Sequence, residues 1–381
     1  MVYQLTEEEK MIVNLVKKLA AEKVAPRAAE IDEKEEFPWD IYKLFSEHGL
    51  MALPVPEEYG GTGARVLLQC LLVEEISKYC STCATLLTGP SLGTYPIIFA
   101  GTAEQKEKYT LRLASGEIQS AFGLTEPDAG SDVASMKSTA RREGEEYVLN
   151  GTKRFITRGN ISDLVIIFAK TDPGKKGRGI TAFIVEKGTP GFKCTKLEKK
   201  MGLRGSPTAE LVLEDVRIPK ENRLGEEGEG LKLALYTLDH TRCLIGASAV
   251  GRAQGAFDYA CEYAKQRVQF GQPIGKFQAI QFMLADMAIE IEAARQLTYL
   301  AADEVDKRGP KMVLYGSMAK TKASDIALKV CEDAVQILGG YGFISEYPLE
   351  RMFRDCKIAQ IAEGTNQIHR TVIAREILGR F

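Results

Sequence analysis

The sequence has no excess of charge of either sign and no long apolar run. Its 50 Lys and Arg residues against 52 Asp and Glu give a net charge of -2, and neither sign collects into a stripe or a tail. Such a charge distribution offers no electrostatic footprint for nucleic acid or for a membrane surface. No window reaches the roughly 18 uninterrupted apolar residues of a membrane-spanning helix. We therefore expect neither a nucleic-acid partner nor membrane association.

Metal-ligating residues are sparse or scattered. There are three histidines, and the eight cysteines do not form a repeated pattern. Cys80 and Cys83 have CxxC spacing, but a structural zinc site usually needs a second pair or histidines beside it. The start, MVYQLTEEEK, has neither the apolar core of a signal peptide nor the acid-poor bias of a transit peptide. We expect buried, reduced thiols and no metal site.

The residue pattern divides the 381 positions into three parts. Helical periodicity dominates residues 1–120, β-rich runs separated by Gly, Pro and Asp fill residues 121–225, and helical spacing returns over residues 226–381. In the middle part, Asn150-Gly151 stands between two strand-like runs, which predicts a hairpin turn there. We predict an α+β multidomain fold with an N-terminal helical domain, a central β-barrel or sandwich and a C-terminal helical bundle.

One carboxylate near the C-terminus stands among apolar residues. In KIAQIAEGTNQIHR, residues 357–370, Glu363 is followed by Gly364, which is unfavourable inside a helix, and by Thr365, which can cap a new helix. Two interpretations are open from this segment alone. Glu363 is either a solvated loop residue or a base held in a pocket at a break between helices.

Four other segments combine glycine, hydroxyl and aromatic residues. FGLTEPDAGSDV forms a polar turn with free backbone N–H groups, and KRFITRGN places Phe155 and Thr157 on one face of a strand. QRVQFGQPIGKFQ interrupts a long helix, and QILGGYGF is too rich in glycine for a helix interior. Each also fits an ordinary interdomain loop or helix connection, and QILGGYGF does not match a dinucleotide-binding GxGxxG.

Taken in order, these motifs resemble the acyl-CoA dehydrogenase family of flavoproteins. GLTEPDAGSD, FIT, RVQFG, QILGGYGF, RDCKIAQIAEGTNQI and the terminal AREILG carry the resemblance, which covers essentially the whole chain. It implies an N-terminal helical domain, a β-domain, a C-terminal four-helix bundle and FAD between the last two, across a subunit interface. It also implies an acyl-CoA substrate, electron-transfer flavoprotein as the acceptor and a homo-oligomer, usually a tetramer.

The resemblance assigns a role to Glu363. It is similar to the family's catalytic base, which removes the α-proton of a CoA thioester while the β-hydrogen leaves as hydride to the flavin. In the family, the backbone N–H of the base and a flavin ribityl hydroxyl stabilise the enolate-like oxygen. Gly364 would let the chain turn the base and its N–H toward the thioester. Some relatives carry their base on the helix that reads LDHTR here, but position 241 is Thr.

Further site residues follow from the same resemblance. Thr125 and Thr157 match contacts to the flavin ring, Phe155 stands where many members carry Trp, and Ser131 matches a contact to flavin phosphate or CoA. Asp239 and Arg242 match residues that hold the CoA chain. The remaining matches concern other parts of FAD: Arg267, Phe270, Gln278, Gln336 and Gly340 on a neighbouring subunit, and Thr365 and Gln367 at the adenosine and pyrophosphate end.

The substrate expectation rests on two departures from the family pattern. Ala362 precedes the base where many straight-chain members have Tyr, so the site should accept a branched or alicyclic acyl group. Cys83 aligns with the arginine that a glutaryl-type substrate needs, and TLLTGPSLG adds no cation. We therefore predict FAD-dependent α,β-dehydrogenation of an uncharged short- to medium-size acyl-CoA, with a ring substrate such as cyclohexanecarboxyl-CoA as an alternative.

Other classes of flavoprotein are alternatives to a dehydrogenase. An oxygen-using acyl-CoA oxidase usually needs a longer chain, and a flavin monooxygenase need not keep the Glu. A DNA-associated, non-enzymatic relative would be expected to carry a basic C-terminal extension, whereas the sequence stops at Phe381. We expect a role in fatty acid metabolism in the cytoplasm, most simply of a bacterium, or in the organellar matrix as a mature form.

Overall fold

A computed structural model describes residues 4–379. The N-terminal part is helical because apolar residues recur at helical spacing, and two of its helices begin at a capping threonine. Thr6 and Thr102 each form a capping box with the residue three positions on. The helices are α1 (Glu7–Leu19), α2 (Ala28–Lys34), α3 (Trp39–Glu47), α4 (Val66–Ser77), α5 (Ser81–Ala100) and α6 (Ala103–Ala114).

The middle part is an eight-stranded sheet with a buried centre. Strands β4 and β5 are apolar and buried along nearly their whole length, since both faces are covered. The order is β6-β7-β3-β2-β4-β5-β8, with β1 paired in parallel to β4. The strands are β1 (Ser120–Gly123), β2 (Thr139–Glu143), β3 (Glu146–Thr157), β4 (Leu164–Lys170), β5 (Ile180–Glu186), β6 (Phe192–Leu197), β7 (Thr208–Pro219) and β8 (Arg223–Leu224).

The predicted hairpin turn at Asn150-Gly151 is wrong. Strand β3 runs straight through both residues, and the β2–β3 turn lies at residues 144–145 instead. The pairing of β3 with β7 shifts register between Leu149 and Gly151, so the dipeptide forms a bulge. A Cβ at Gly151 would lie 2.1 Å from Ser138 Oγ, which explains the glycine by close approach rather than by a turn.

The C-terminal part is built on long helices. They are α7 (Gly230–Gln266), α8 (Gln278–Asp306), α9 (Met312–Leu338), α10 (Leu349–Cys356) and α11 (Asn366–Leu378). Alanine and other small residues line the buried faces of α7 and α9, which lets these two helices pack closely. A short hairpin, β9 (Val268–Gln269) and β10 (Gln272–Pro273), interrupts the path from α7 to α8.

This architecture confirms the predicted order of helical, β and helical parts. The boundaries at 120/121 and 225/226 stay a prediction, because β8 and α7 leave several connecting residues that belong equally well to either side. None of the helices within residues 4–379 combines the length and apolar character needed to cross a membrane.

Candidate active site

Glu363 lies in a tight break between two helical segments. A 3₁₀ turn follows α10, and Glu363 then adopts a left-handed backbone with φ of 54°, followed by Gly364 with φ of 94°. Thr365 caps α11 by accepting a hydrogen bond from Ile368 N–H. A Cβ at Gly364 would lie 3.0 Å from Nε2 of the buried His369. The glycine therefore serves both the unusual backbone angle and the close contact.

A cluster of buried polar side chains packs against this break and binds its backbone. Lys320, fully buried on α9, donates from Nζ to Gly364 O at 2.7 Å and to Asn366 Oδ1 at 2.9 Å. His369 lies 3.1 Å from Glu363 O through Nε2 and 3.3 Å from Ser317 Oγ through Nδ1. Burial lowers the pKa of His369 to about 3, so the ring is neutral and Nε2–H donates to the carbonyl. The backbone carbonyl groups of Glu363 and Gly364 are thus fixed by side chains.

The carboxyl group of Glu363 is half-buried and faces α7. Thr241 donates from Oγ1 to Glu363 Oε2 at 2.8 Å. Burial raises the pKa of Glu363 to about 7, against the opposing effects of the Thr241 hydrogen bond and of the nearby Arg242 and Lys320 charges. A carboxyl group with a pKa near neutrality can accept a proton from a carbon acid and release it again, which suits a general base.

Asp239 and Arg242 form an ion pair one turn apart on α7, beside the base. Burial raises the pKa of Asp239, although the Arg242 charge opposes this. The Nε atom of Arg242 is buried and meets no acceptor among the described residues. The pair therefore leaves a cationic group with unused donor capacity close to Glu363, as expected for a contact to an anionic or carbonyl-rich ligand.

A second group of predicted residues lies at the end of β3. Arg154 N–H donates to Thr125 O at 2.9 Å, which brings the 124–132 loop against the strand. Phe155 has a left-handed φ of 59° and a 59 % exposed side chain, and Thr125 and Thr157 are also accessible. Ser131 is exposed on the same loop. An accessible aromatic side chain with hydroxyls beside it fits one face of a planar ring.

A third group lines a groove of about 410 Å³ at the junction of α7, the β9–β10 hairpin and the end of α9. Arg267, Gln336 and Gly340 belong to its walls. Phe270 and Gln278 are not among the lining residues, and Phe270 is 95 % exposed. None of the lining residues belongs to the Thr125–Thr157 group, so the two groups do not share this groove. Gln367 is exposed on α11, while Thr365 is partly exposed at its cap.

The sequence pattern does not indicate several residues of this site. Lys320 and His369 lie 43 and six positions away from Glu363, in segments where the sequence shows ordinary helical patterns. At Thr241 the sequence shows only the absence of a second carboxylate. Lys153 forms a buried ion pair with Glu126 at 2.7 Å and so pins the loop that carries Thr125. Neither lysine stands out in the sequence, because Lys153 is followed by Arg154 and Lys320 has Lys322 two positions on.

Among the residues that the structure describes, no group of three or more His, Cys, Asp or Glu side chains is placed to hold a metal ion. Cys80 and Cys83 are both buried in the N-terminal core.

The fold and the site together are those of an enzyme that places a β-domain between two helical parts and carries a half-buried carboxyl group suited to act as a general base. The chain belongs to the acyl-CoA dehydrogenase family of oxidoreductases. It matches the family's N-terminal domain over residues 6–117, the middle domain over residues 121–216 and the C-terminal domain over residues 228–378.

The relatives are similar along nearly their whole length. An acyl-CoA dehydrogenase of Bacillus subtilis is 47% identical over 376 residues, covering 98% of this chain and 99% of the relative. A cyclohex-1-ene-1-carbonyl-CoA dehydrogenase of Geobacter metallireducens is 48% identical over 375 residues, with 98% and 99% coverage. The solved butyryl-CoA dehydrogenase of Megasphaera elsdenii is 45% identical, covers 99% and 100% of the two chains, and superposes with a TM-score of 0.96.

Two further solved structures bear on cofactor and partner. One, described as "PigA with FAD and proline", is 30% identical, with 99% coverage of both chains and a TM-score of 0.95. The other, described as "Electron transferring flavoprotein of Acidaminococcus fermentans: Towards a mechanism of flavin-based electron bifurcation", is 47% identical, with full coverage of both chains and a TM-score of 0.97. FAD is thus a cofactor of this family.

Proposed function

We propose that the protein catalyses the FAD-dependent α,β-dehydrogenation of a short- to medium-size acyl-CoA to the enoyl-CoA, with Glu363 as the base. The observation that carries this proposal is the Glu363 carboxyl group, which has a pKa of about 7 and a hydroxyl donor on Oε2, in a turn whose carbonyl groups at Glu363 and Gly364 are held by side chains. Such a group is ionised for about half of the molecules at neutral pH, which favours proton transfer in both directions.

The proton-transfer step uses residues of this chain. Glu363 takes the α-proton of the bound thioester on its carboxylate, and Thr241 holds the carboxylate in one orientation. The N–H of Glu363 donates to no carbonyl within residues 4–379, so it is free to donate to the thioester oxygen as negative charge develops there. Asp239 and Arg242 would hold the CoA chain, and Gly364 allows the thioester to approach the turn.

The residues present fit FAD on two observations. The accessible Phe155 ring with Thr125 and Thr157 suits the flavin ring system, and Arg267, Gln336 and Gly340 line a groove in which bare glycine backbone can approach a pyrophosphate. Ser131, Phe270, Gln278, Thr365 and Gln367 are proposed as further contacts. When bound, FAD supplies the hydride acceptor for the β-hydrogen, and the protein supplies position and electrostatics.

We propose that a neighbouring subunit of a homotetramer completes the FAD site, and this is supported by the groove at Arg267, Gln336 and Gly340, which shares no lining residue with the Thr125–Thr157 group. We propose electron-transfer flavoprotein as the electron acceptor and the cytoplasm as the location, because the relatives named above are bacterial. An oxygen-using oxidase remains the alternative, and the rate at which air reoxidises the substrate-reduced flavin distinguishes the two.

The test is anaerobic bleaching of the flavin absorbance by butyryl-, octanoyl-, isobutyryl-, 2-methylbutyryl-, glutaryl- and cyclohexanecarboxyl-CoA. Rapid bleaching by one or two of these is the expected result, and a branched or ring substrate among them would support the argument from Ala362. Failure of every thioester to bleach a protein that holds FAD would contradict the proposed reaction. We propose an uncharged acyl group, because Cys83 stands where a glutaryl-type substrate needs an arginine and TLLTGPSLG adds no cation.

A further inference from the structure

One carboxylate on α9 binds both sides of the turn that carries Glu363. Gln360, three positions before the base, donates from Nε2 to Asp325 Oδ1 at 2.8 Å. Asn366, three positions after the base, donates from Nδ2 to the same oxygen at 2.7 Å. A carboxylate oxygen can accept two such bonds, and a bond to a charged acceptor is roughly twice as strong as one between neutral groups. Asp325 thus joins the two ends of the segment 360–366, which has the base at its centre.

The second oxygen of Asp325 has a different partner. Arg370, one turn into α11, donates from Nη2 to Asp325 Oδ2 at 2.7 Å. The Arg370 side chain is 57 % exposed, so this ion pair contributes little stability by itself. It does orient the carboxylate, because Oδ2 faces the guanidinium and Oδ1 is left for the two amide groups.

Apolar packing holds little of this segment. Within the described residues 357–365, Ala359 is the only buried one, while Ile358 and Ile361 are 39 % and 51 % exposed. The left-handed backbone at Glu363 is unfavourable in its own right. Hydrogen bonds from other elements must therefore keep the turn in its conformation, and Asp325 supplies the ones that reach its two ends.

The amide of Asn366 connects Asp325 with the buried side of the turn. Its Oδ1 accepts from Lys320, the same ammonium group that binds Gly364 O. An ammonium group only donates, so the amide must turn Oδ1 to Lys320 and Nδ2 to Asp325. Two charged residues of α9 thus hold the turn, a cation at its backbone and an anion at its flanking side chains.

From these contacts we infer that Asp325 is a positioning residue for Glu363, which holds the turn against α9 and so keeps the carboxyl group within reach of Thr241 and of the α-carbon of the thioester. The inference rests on the proposed function, since it concerns the step in which Glu363 takes the α-proton. Asp325 acts through the turn and takes no part in the proton transfer itself. Release of the segment leaves the base present but displaced, and a displacement of about 1 Å can cost roughly 100-fold in rate.

The test replaces Asp325 in the FAD-loaded protein and uses the thioester of the panel above that bleaches the wild-type flavin fastest. In Asp325→Ala we expect anaerobic flavin reduction to slow by roughly 10- to 100-fold. Binding of the same thioester, measured from the change in the flavin spectrum, should change by less than about threefold, because the variant alters the rate of the step and not the contacts to CoA. The isotope effect of α-deuteration on flavin reduction should increase, because a displaced base makes proton transfer limit the rate more strongly.

Further variants separate the two amide hydrogen bonds from the loss of a charge. Asp325→Asn keeps an oxygen that can accept from Gln360 and Asn366, so it should be faster than Asp325→Ala. Gln360→Met removes the bond on one side only and should also be faster than Asp325→Ala, and adding it to Asp325→Ala should cause no further loss. Arg370→Gln should stay close to wild type. Glu332→Ala removes an exposed carboxylate from the same helix and should change nothing.

Amide hydrogen exchange gives a second measurement, one that does not depend on turnover. The N–H groups of Ile361 and Ala362 both donate to Ile358 O, and the N–H of Ile368 donates to Thr365 Oγ1. Exchange in peptides that span residues 357–369 should therefore be faster in Asp325→Ala than in wild type, and unaltered in Glu332→Ala.

A wild-type rate of flavin reduction in Asp325→Ala would overturn the inference, and so would a slower rate without faster exchange in this segment. Equal losses of rate and of thioester binding, or release of FAD, would overturn it as well, because they indicate general loss of structure. If Asp325→Ala does not fold, wild-type rates in both Asp325→Asn and Gln360→Met would have the same effect. Faster exchange in Asp325→Ala, in a protein that no thioester reduces, would reject the proposed reaction and retain Asp325 as the residue that holds the turn.

Discussion

The hydroxyl of Thr241 lies 2.8 Å from Oε2 of Glu363 and 3.3 Å from the backbone oxygen of Leu238. It has one proton and can donate to only one of these acceptors at a time. When Glu363 is ionised, the shorter, charge-assisted bond to the carboxylate is favoured. When Glu363 has taken up a proton, the hydroxyl can accept from it and turn its own proton to Leu238. Thr241 thus serves both protonation states of the base.

Flavin reduction should depend on pH through Glu363. The raised pKa means that the base is protonated and inactive below about pH 7 and ionised above it, so the rate constant for reduction by substrate should rise through that value and level off. Thr241→Val removes a donor that favours the carboxylate and should move the midpoint upward by about one pH unit. Thr241→Ser is the control and should leave it in place. A midpoint that does not move in the Val variant would contradict this role.

Glu363→Gln should retain FAD and acyl-CoA binding and lose flavin reduction. Gln keeps the size of the side chain and can still contact Thr241, but it cannot accept the α-proton. Loss of a positioned base typically costs roughly 10²- to 10⁴-fold in rate. Stopped-flow bleaching under anaerobic conditions measures the rate, and the absorbance change on adding acyl-CoA reports binding. Wild-type bleaching in this variant would eliminate Glu363 as the base.

Lys320→Met should weaken the turn that carries the base. The change leaves Gly364 O and Asn366 Oδ1 without the donor they share, which costs about 2–4 kcal/mol in the free energy of unfolding. It also removes a charge that lowers the pKa of Glu363, so the pH midpoint of flavin reduction should rise. Lys322→Met, two residues along the helix and paired with Glu290, is the matched control. Unaltered stability together with an unaltered midpoint would rule out this function of Lys320.

Lys153→Met should destabilise the β-domain by about 3–5 kcal/mol, because Glu126 would keep its charge in a buried setting. Burial lowers the pKa of Lys153 to about 8, while Lys153 and backbone donors keep Glu126 ionised. The double variant Glu126→Gln with Lys153→Met should be less destabilised than Lys153→Met alone. Urea unfolding measures both, and Lys193→Met, in an exposed pair with Glu214, should stay close to wild type. Additive losses in the double variant would speak against a coupled pair.

Arg242→Ala should weaken acyl-CoA binding and turnover without loss of FAD. The buried guanidinium pairs with Asp239 beside the base and retains an unused donor, whereas the predicted flavin contacts lie at the β3 end and in the groove. We expect a rise in KM together with a fall in kcat, and an unchanged flavin spectrum in the resting protein. Release of FAD from this variant would show that Arg242 has been placed on the wrong ligand.

The sequence predicts the order of the three parts and the capped break around Glu363, because these depend on local signals: helical periodicity, a glycine and a Thr cap. It does not predict the path of β3 through Asn150-Gly151. That dipeptide is favourable in a hairpin turn, but the pairing of β3 with β7 and the close contact with Ser138 prevail over the local preference.

The sequence also does not predict which side chains contact the base and its turn. Thr241 on α7 and Lys320 on α9 reach the Glu363–Gly364 turn only in the folded chain, at separations of 122 and 43 positions from Glu363. Asp325 is a similar case, since the segment around it gives no sign that its side chain contacts both sides of that turn. The single sequence therefore indicates the secondary structure, but not the contacts that buried polar groups make between distant parts of the chain.

The left-handed backbone at Glu363 has an evolutionary consequence. A non-glycine residue in that conformation is strained by roughly 1–2 kcal/mol. The raised pKa adds a second cost: the folded protein is stabilised by the bound proton at low pH, and that stabilisation is lost as pH rises from about 4.5 toward 7. Replacement by glycine or asparagine would relieve both. Selection for heat resistance alone would therefore favour replacement of Glu363. Retention of this residue in a lineage would then indicate selection for catalytic turnover.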